Sequence, residues 1–204
     1  DPITPQYIAD LIAWGAIGAR TSESQTHRQM SSGLSTPVGF KNGTGGSVQL
    51  AVDAIVAAEA SQAFLGVDDN GQASIVLTQG NPNCHLILRG GSSGPNYDSA
   101  SVADAVFRLE KSGVCNKLVV DCSHANCYKD HTKQRIAFND VIDQRKQGNV
   151  NIVGLMLESH INEGNQKLNE AEPELLEYGV SITDPCVGWE ETVELINHAY
   201  ESLS

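Results

Sequence analysis

Long hydrophobic runs, basic clusters and paired cysteines are all missing from this sequence. The longest apolar stretches are short, as in Leu86-Ile87-Leu88 and Leu118-Val119-Val120, far below the roughly 18 residues that a membrane helix needs. Lys and Arg number 13 against 25 Asp and Glu, a formal net charge of -12. That balance argues against nonspecific nucleic-acid binding, which needs a basic face. The five cysteines (Cys84, Cys115, Cys122, Cys127, Cys186) form no CxxC framework, and their odd number and wide spacing suit free thiols in a reducing cytosol. No charged-then-apolar leader reads as a signal peptide. The expectation is a soluble cytoplasmic protein with neither a nucleic-acid nor a membrane partner. The chain opens on Asp1 rather than Met, so upstream sequence is also expected.

What is present suits one globular domain: 204 residues, 40% hydrophobic and 19% charged. Short apolar segments alternate with helical patterns, the signature of βα units and a parallel sheet. The patterns predict helices at 4–13, 23–33, 47–60, 99–112, 132–147 and 190–202. Strands are predicted at 14–19, 37–41, 85–89, 117–121 and 152–157. Segments 63–67 and 73–79 read as a hairpin around Asp68-Asp69-Asn70-Gly71, because Asn-Gly favours a tight turn. A complete (β/α)₈ barrel usually needs about 250 residues. The pattern therefore fits either an open doubly wound sheet or the last five-eighths of a barrel.

Strand after strand ends in a group able to bind charge. Gly18-Ala19-Arg20, Gly39-Phe40-Lys41 and Leu88-Arg89-Gly90-Gly91 close the first three, Asp121-Cys122-Ser123-His124 the fourth and Leu157-Glu158-Ser159-His160 the fifth. Parallel α/β folds assemble their sites at this rim, because every strand delivers its last residue to the same mouth. Arg20, Lys41 and Arg89 suit phosphate and carboxylate. His124, Glu158 and Asp184 form a nitrogen-and-oxygen set suited to a divalent first-row metal. A small, multiply charged phospho-acid held beside a metal is the expected substrate.

At these residues the sequence resembles class I 3-deoxy-D-arabino-heptulosonate 7-phosphate synthases, of the phenylalanine- or tyrosine-sensitive type. The resemblance is carried by Trp14-Gly15-Ala16-Ile17-Gly18-Ala19-Arg20-Thr21, Pro37-Val38-Gly39-Phe40-Lys41-Asn42-Gly43-Thr44, His85 to Gly91, Ser123-His124-Ala125-Asn126, Glu158-Ser159-His160 with Glu163-Gly164-Asn165-Gln166, and Ile182-Thr183-Asp184 with Gly188-Trp189-Glu190. These motifs run in family order from about residue 4 to the C-terminus. The resemblance implies the C-terminal portion, about five of eight strands, of a (β/α)₈ barrel. It implies condensation of phosphoenolpyruvate with erythrose 4-phosphate, the first step of the shikimate pathway, and a homo-oligomer. It implies that Gly18, Ala19, Arg20, Lys41 and Arg89 hold phosphoenolpyruvate, with Lys41, Arg89 and His124 catalytic. His124, Glu158 and Asp184 would be three of four protein ligands to Mn, Fe, Co or Zn.

The family's fourth ligand, a cysteine on the first barrel strand, has no counterpart here, nor has the segment carrying a further arginine and lysine for phosphoenolpyruvate. Cys122, two residues before His124, would share its strand face and is read as packing. Pro185, beside a proposed ligand, could alter that loop. An aromatic amino acid effector would be expected at Pro5, Met30, Leu34, Ser35, Phe64 and Gly66, where Gly66 leaves room that favours tyrosine over phenylalanine. Two other readings stay open: a related enzyme that condenses arabinose 5-phosphate, and a noncatalytic half-barrel that binds phosphate esters or regulates a longer partner.

Overall fold

A computed structural model describes residues 8–68 and 70–204. Five strands, β1 (Gly15–Ile17), β2 (Val38–Lys41), β5 (Cys84–Leu88), β6 (Leu118–Asp121) and β7 (Ile152–Met156), form one sheet in the order β1-β2-β5-β6-β7. Every pairing in it is parallel. β3 (Ala63–Val67) and β4 (Ala73–Leu77) form the separate antiparallel hairpin that Asn70-Gly71 predicted. The Asp68 carboxylate closes its turn, accepting the Asn70 and Gln72 amides at 2.9 Å each.

The strand order never reverses. An open doubly wound sheet has a switch point where the winding changes direction; here each crossover proceeds the same way, as in barrel winding. The core confirms this asymmetry. Val38, Phe40, Cys84, Leu86, Leu88, Leu118 and Val120 alternate onto one face and pack with buried residues of α2 (Val48–Glu59), α3 (Ser99–Lys111) and α4 (Gln134–Lys146). The opposite face carries Gly39, Lys41, His85, Ile87, Val119 and Asp121, and His85 and Val119 line a cavity of ≈ 550 Å³.

Local chemistry sets the element ends. In α2 the residues Ala51, Val52, Ala54, Ile55 and Ala58 are buried at helical spacing. Asp98 caps α3 by accepting the Ala100 and Ser101 amides at 3.1 and 3.0 Å, a contact worth about 1 kcal/mol. Arg108 and Lys111 in its last turn suit the negative end of the helix dipole. α1 (Gln25–Ser32) and α5 (Trp189–Leu203) complete the helices.

Two expectations need correction. The strand predicted over 14–19 stops at Ile17, because the Gly18 carbonyl turns back to accept the Thr21 and Ser22 amides at 2.9 and 3.1 Å. Residues 4–7 of the helix predicted over 4–13 lie outside the described residues, and within the rest Ala9–Leu11 is only a short 3-10 turn. No described helix is long and apolar enough to cross a membrane.

Candidate active site

The chain leaves β6 through a 3-10 turn, His124–Cys127, and His124 enters it with a left-handed backbone, φ 55°. That region is sparsely used by residues other than glycine and persists where surrounding contacts over-determine it. Here Asn126, nearly fully buried, donates to the Asp121 carbonyl at 2.8 Å and to Leu88 on the next strand at 3.3 Å. The turn also corrects one expectation. Because β6 ends at Asp121, its pleat does not reach His124, and Cys122 points the other way, into a core with Ala137, Phe138, Ile142 and Leu195.

Thus aimed, His124 Nε2 lies 3.6 Å from a Glu158 carboxylate oxygen and 3.9 Å from one of Asp184. One donor atom from each of the three falls within 4.8 Å of the others. Glu158 is clamped at its backbone: the buried Gln134 amide accepts its N–H at 2.9 Å and donates to its carbonyl at 3.1 Å. Asp184 comes from a loop zipped to the same segment, with Val187 N donating to Glu158 O at 2.9 Å and Gly164 and Cys186 exchanging both bonds. Pro185 leaves this arrangement intact.

The electrostatics suit a cation. Burial raises the Glu158 pKa, and Asp184 and Asp121 add to the rise, while His124 and Lys41 oppose it. Among the described residues no Lys or Arg makes an ion pair with Glu158 or Asp184. Two converging carboxylates without a cation, beside an imidazole nitrogen, match the donor chemistry of a divalent first-row metal.

Behind His124 stands Asp121, 1% exposed. Its Oδ2 accepts Lys41 Nζ at 2.6 Å and lies 3.1 Å from His124 Nδ1. Burial alone would raise its pKa, yet the bonds from His124 and Lys41 hold the carboxylate well below the usual range. Lys41, Asp121, His124, Glu158 and Asp184 therefore form one connected set across three strand ends.

Arg89 follows β5, between the strands of Lys41 and Asp121. Its amide donates to Asn42 Oδ1 at 2.8 Å, and its Nε is buried without a partner among the described residues. Asn42 also donates to Gly90 O at 2.8 Å and accepts Asn96 Nδ2 at 3.2 Å; Asn96 in turn accepts Gly90 N at 2.7 Å. These amides fix the rim around Arg89. Gly18 stands one step past the Ile17–Phe40 pairing, level with Lys41. Ser22 ties that loop down, donating to the Lys41 carbonyl at 2.7 Å. Ala19 and Arg20 lie in the same turn, and Arg20 is exposed. Reasoning from sequence missed Asp121, Gln134, Asn42, Asn96 and Asn126.

Of the effector positions, Met30, Leu34, Ser35 and Phe64 line one cavity of ≈ 500 Å³ between α1 and the hairpin. Gly66 is not among its lining residues. The space above it is taken by Val76, whose Cγ2 would lie 2.6 Å from a Cβ there, which corrects the expectation of open room. Pro5 lies outside the described residues.

Comparison with known proteins agrees with this geometry. The Tyr-sensitive phospho-2-dehydro-3-deoxyheptonate aldolase of Escherichia coli K12 is 50% identical over 204 residues, covering 100% of this chain and 57% of that protein. The Phe-sensitive enzyme of the same organism is 53% identical over 196 residues, 96% of this chain and 55% of that one. A solved phospho-2-dehydro-3-deoxyheptonate aldolase from Francisella tularensis SCHU S4 superposes with a TM-score of 0.94 at 48% identity, covering 100% of this chain and 58% of that chain. The chain thus spans a little over half the length of these relatives. The family model of the DAHP synthetase I family matches residues 1–197, and the chain belongs to that family.

Proposed function

We propose that this chain carries the phosphoenolpyruvate and metal subsites of a 3-deoxy-D-arabino-heptulosonate 7-phosphate synthase, its five sheet strands being the last five of an eight-stranded barrel. The connected set from Lys41 through Asp121 and His124 to Glu158 and Asp184 carries this reading. In it, Arg20, Lys41 and Arg89 hold the phosphate and carboxylate of phosphoenolpyruvate, and the buried, unpartnered Arg89 Nε supplies a reason to expect an anion there. The backbone at Gly18 and Ala19 lies against the phosphate. His124, Glu158 and Asp184 hold a divalent metal, which when bound polarises the aldehyde of erythrose 4-phosphate.

The chemistry then asks the protein mainly to position charge. C3 of phosphoenolpyruvate forms a bond to the aldehyde carbon, whose oxygen takes up a proton. The positive charge developing at C2 is balanced by the substrate's own anions, which the fixed cations keep oriented. Water adds at C2, and the resulting hemiketal phosphate loses inorganic phosphate to give the ketone. A homo-oligomer belongs to the same reading, supported by Leu65, Ile75 and Leu77, exposed together on one face of the hairpin.

Binding tests it directly. The protein at its natural length should bind one Co²⁺, followed by absorbance, and bind phosphoenolpyruvate, followed by calorimetry. His124→Ala should remove the first. The protein at its natural length should then release phosphate with erythrose 4-phosphate and not with arabinose 5-phosphate. Binding of phosphoenolpyruvate without turnover of either aldose at that length would favour the noncatalytic reading instead.

A further inference from the structure

Asp121 makes more contacts than a residue that merely fills a strand end. Its Oδ1 accepts both the Ser123 amide at 3.0 Å and the Ser123 hydroxyl at 2.5 Å. The hydroxyl proton is therefore committed to Asp121. Ser123 Oγ, 2.7 Å from His124 Nδ1, can only accept from that nitrogen. Oδ2 of Asp121, 3.1 Å from the same nitrogen, accepts as well. Both neighbours thus require the proton on Nδ1, which leaves the Nε2 lone pair facing Glu158 and Asp184. A carboxylate behind a histidine fixes its tautomer and raises its basicity toward a metal in the same way at many sites.

The same Oδ2 also holds Lys41 Nζ at 2.6 Å. One oxygen therefore serves two donors, one belonging to the metal subsite and one to the anion subsite. A cation on Nε2 makes Nδ1–H a stronger donor, so it draws more of that oxygen's charge. Lys41 is then held less tightly by Asp121 and is freer to meet an incoming anion. We infer that Asp121 is a positioning residue that couples the two subsites, so that a bound divalent metal tightens phosphoenolpyruvate and the reverse. This rests on the proposed function for the identity of the two ligands, and on geometry alone for the coupling.

The measurement is a two-ligand titration of the protein at its natural length with Co²⁺ and phosphoenolpyruvate. In the unaltered protein, saturating either ligand should tighten the other by the same factor, about tenfold within the usual range of such couplings. Asp121→Asn should weaken Co²⁺ by about 10- to 100-fold, as loss of an outer-shell partner does, and bring the coupling factor to about one. A structural defect alone would weaken both ligands without removing their mutual effect. Should Asp121→Asn fail to fold, Asp121→Ser carries the test, because it leaves Lys41 and His124 in place but removes the shared carboxylate, and the coupling factor should again fall to about one. Coupling that persists in either variant overturns the inference. So does an unaltered protein that binds both ligands independently, a result that leaves the proposed function standing. An unaltered protein that binds neither overturns both.

Discussion

Trp14 and His85 meet on the sheet face opposite the helices, across a residue that has no side chain. Trp14 Nε1 donates to His85 Nε2 at 3.0 Å, with ring centroids 5.8 Å apart. β2 runs between their strands, and Gly39, paired with His85, occupies the crossing point. A Cβ at Gly39 would lie 2.4 Å from Ile87 Cδ1 and 3.0 Å from His85 Nε2. The bond therefore ties the edge strand β1 to the third strand of the sheet through the gap that glycine leaves. Since Nε2 accepts, the ring proton sits on Nδ1, facing the Asn83 carbonyl at 3.4 Å.

That pairing predicts a pH dependence. Burial lowers the His85 pKa, and the Asn83 contact opposes it only in part. A histidine held neutral in the fold contributes its full stability above its unfolded pKa, near 6.5. The contribution is lost as pH falls through that value toward the lower folded pKa, because the unfolded chain then binds the extra proton. Thermal melts should show the unaltered protein losing stability as pH drops below about 6.5 more steeply than His85→Gln. Parallel curves for the two proteins would contradict this.

Arg89→Ala should separate binding from stability. Hydrogen bonds to charged groups contribute about 1.5–3 kcal/mol, so phosphoenolpyruvate should bind roughly 10- to 150-fold more weakly. Yet Arg89 Nε is buried without a partner among the described residues, so removing it should leave the melting temperature unchanged or higher. A variant that melts much earlier would mean that Arg89 is a structural residue.

Gly90→Ala should be costly for two reasons at once. Its φ is +73°, and a Cβ would sit 2.8 Å from the Ala125 carbonyl carbon and from the Asn126 amide nitrogen, both backbone atoms. Gly94, with φ +122° and nothing within 4 Å of a Cβ, is the control. Backbone strain of about 1–3 kcal/mol applies to both positions, at about 2–4 °C per kcal/mol for a chain of this size. Only Gly90→Ala should also weaken Co²⁺ binding, because the atoms it displaces follow His124 directly. Equal effects on Co²⁺ would remove the link between this contact and the metal subsite.

The strand-end residues were legible because parallel strands deliver their last side chains to one rim, whatever lies between them in sequence. Alternation along a strand misled at Cys122, since a pleat argument fails once the chain enters the His124 turn. What supports the site was not legible. Gln134 clamps Glu158 from 24 positions away, and Asn96 reaches Asn42 across 54. No local pattern marks an amide whose partner is decided by tertiary packing. Asp121 stood in plain view at the end of β6, but its role depends on Lys41, 80 positions earlier.

The cavity between α1 and the hairpin supports a last prediction. At ≈ 500 Å³, lined by Met30, Leu34, Ser35, Phe64 and Val76 among others, it falls in the range of small-ligand sites, about 300–1,000 Å³. An aromatic amino acid would place its ring against Phe64. Truncating that ring should weaken binding by roughly three- to tenfold beyond the area lost, as for other aromatic pairs. Calorimetric titration of tyrosine and phenylalanine into the unaltered protein and into Phe64→Ala would measure this. Gly66→Ser sharpens the test, because its new Cβ must displace Val76, and Val76 lines the cavity. Pushed inward, it should disfavour tyrosine, with its extra hydroxyl, more than phenylalanine. If neither amino acid binds the unaltered protein, or if Phe64→Ala binds both as well as before, the cavity is not an effector site.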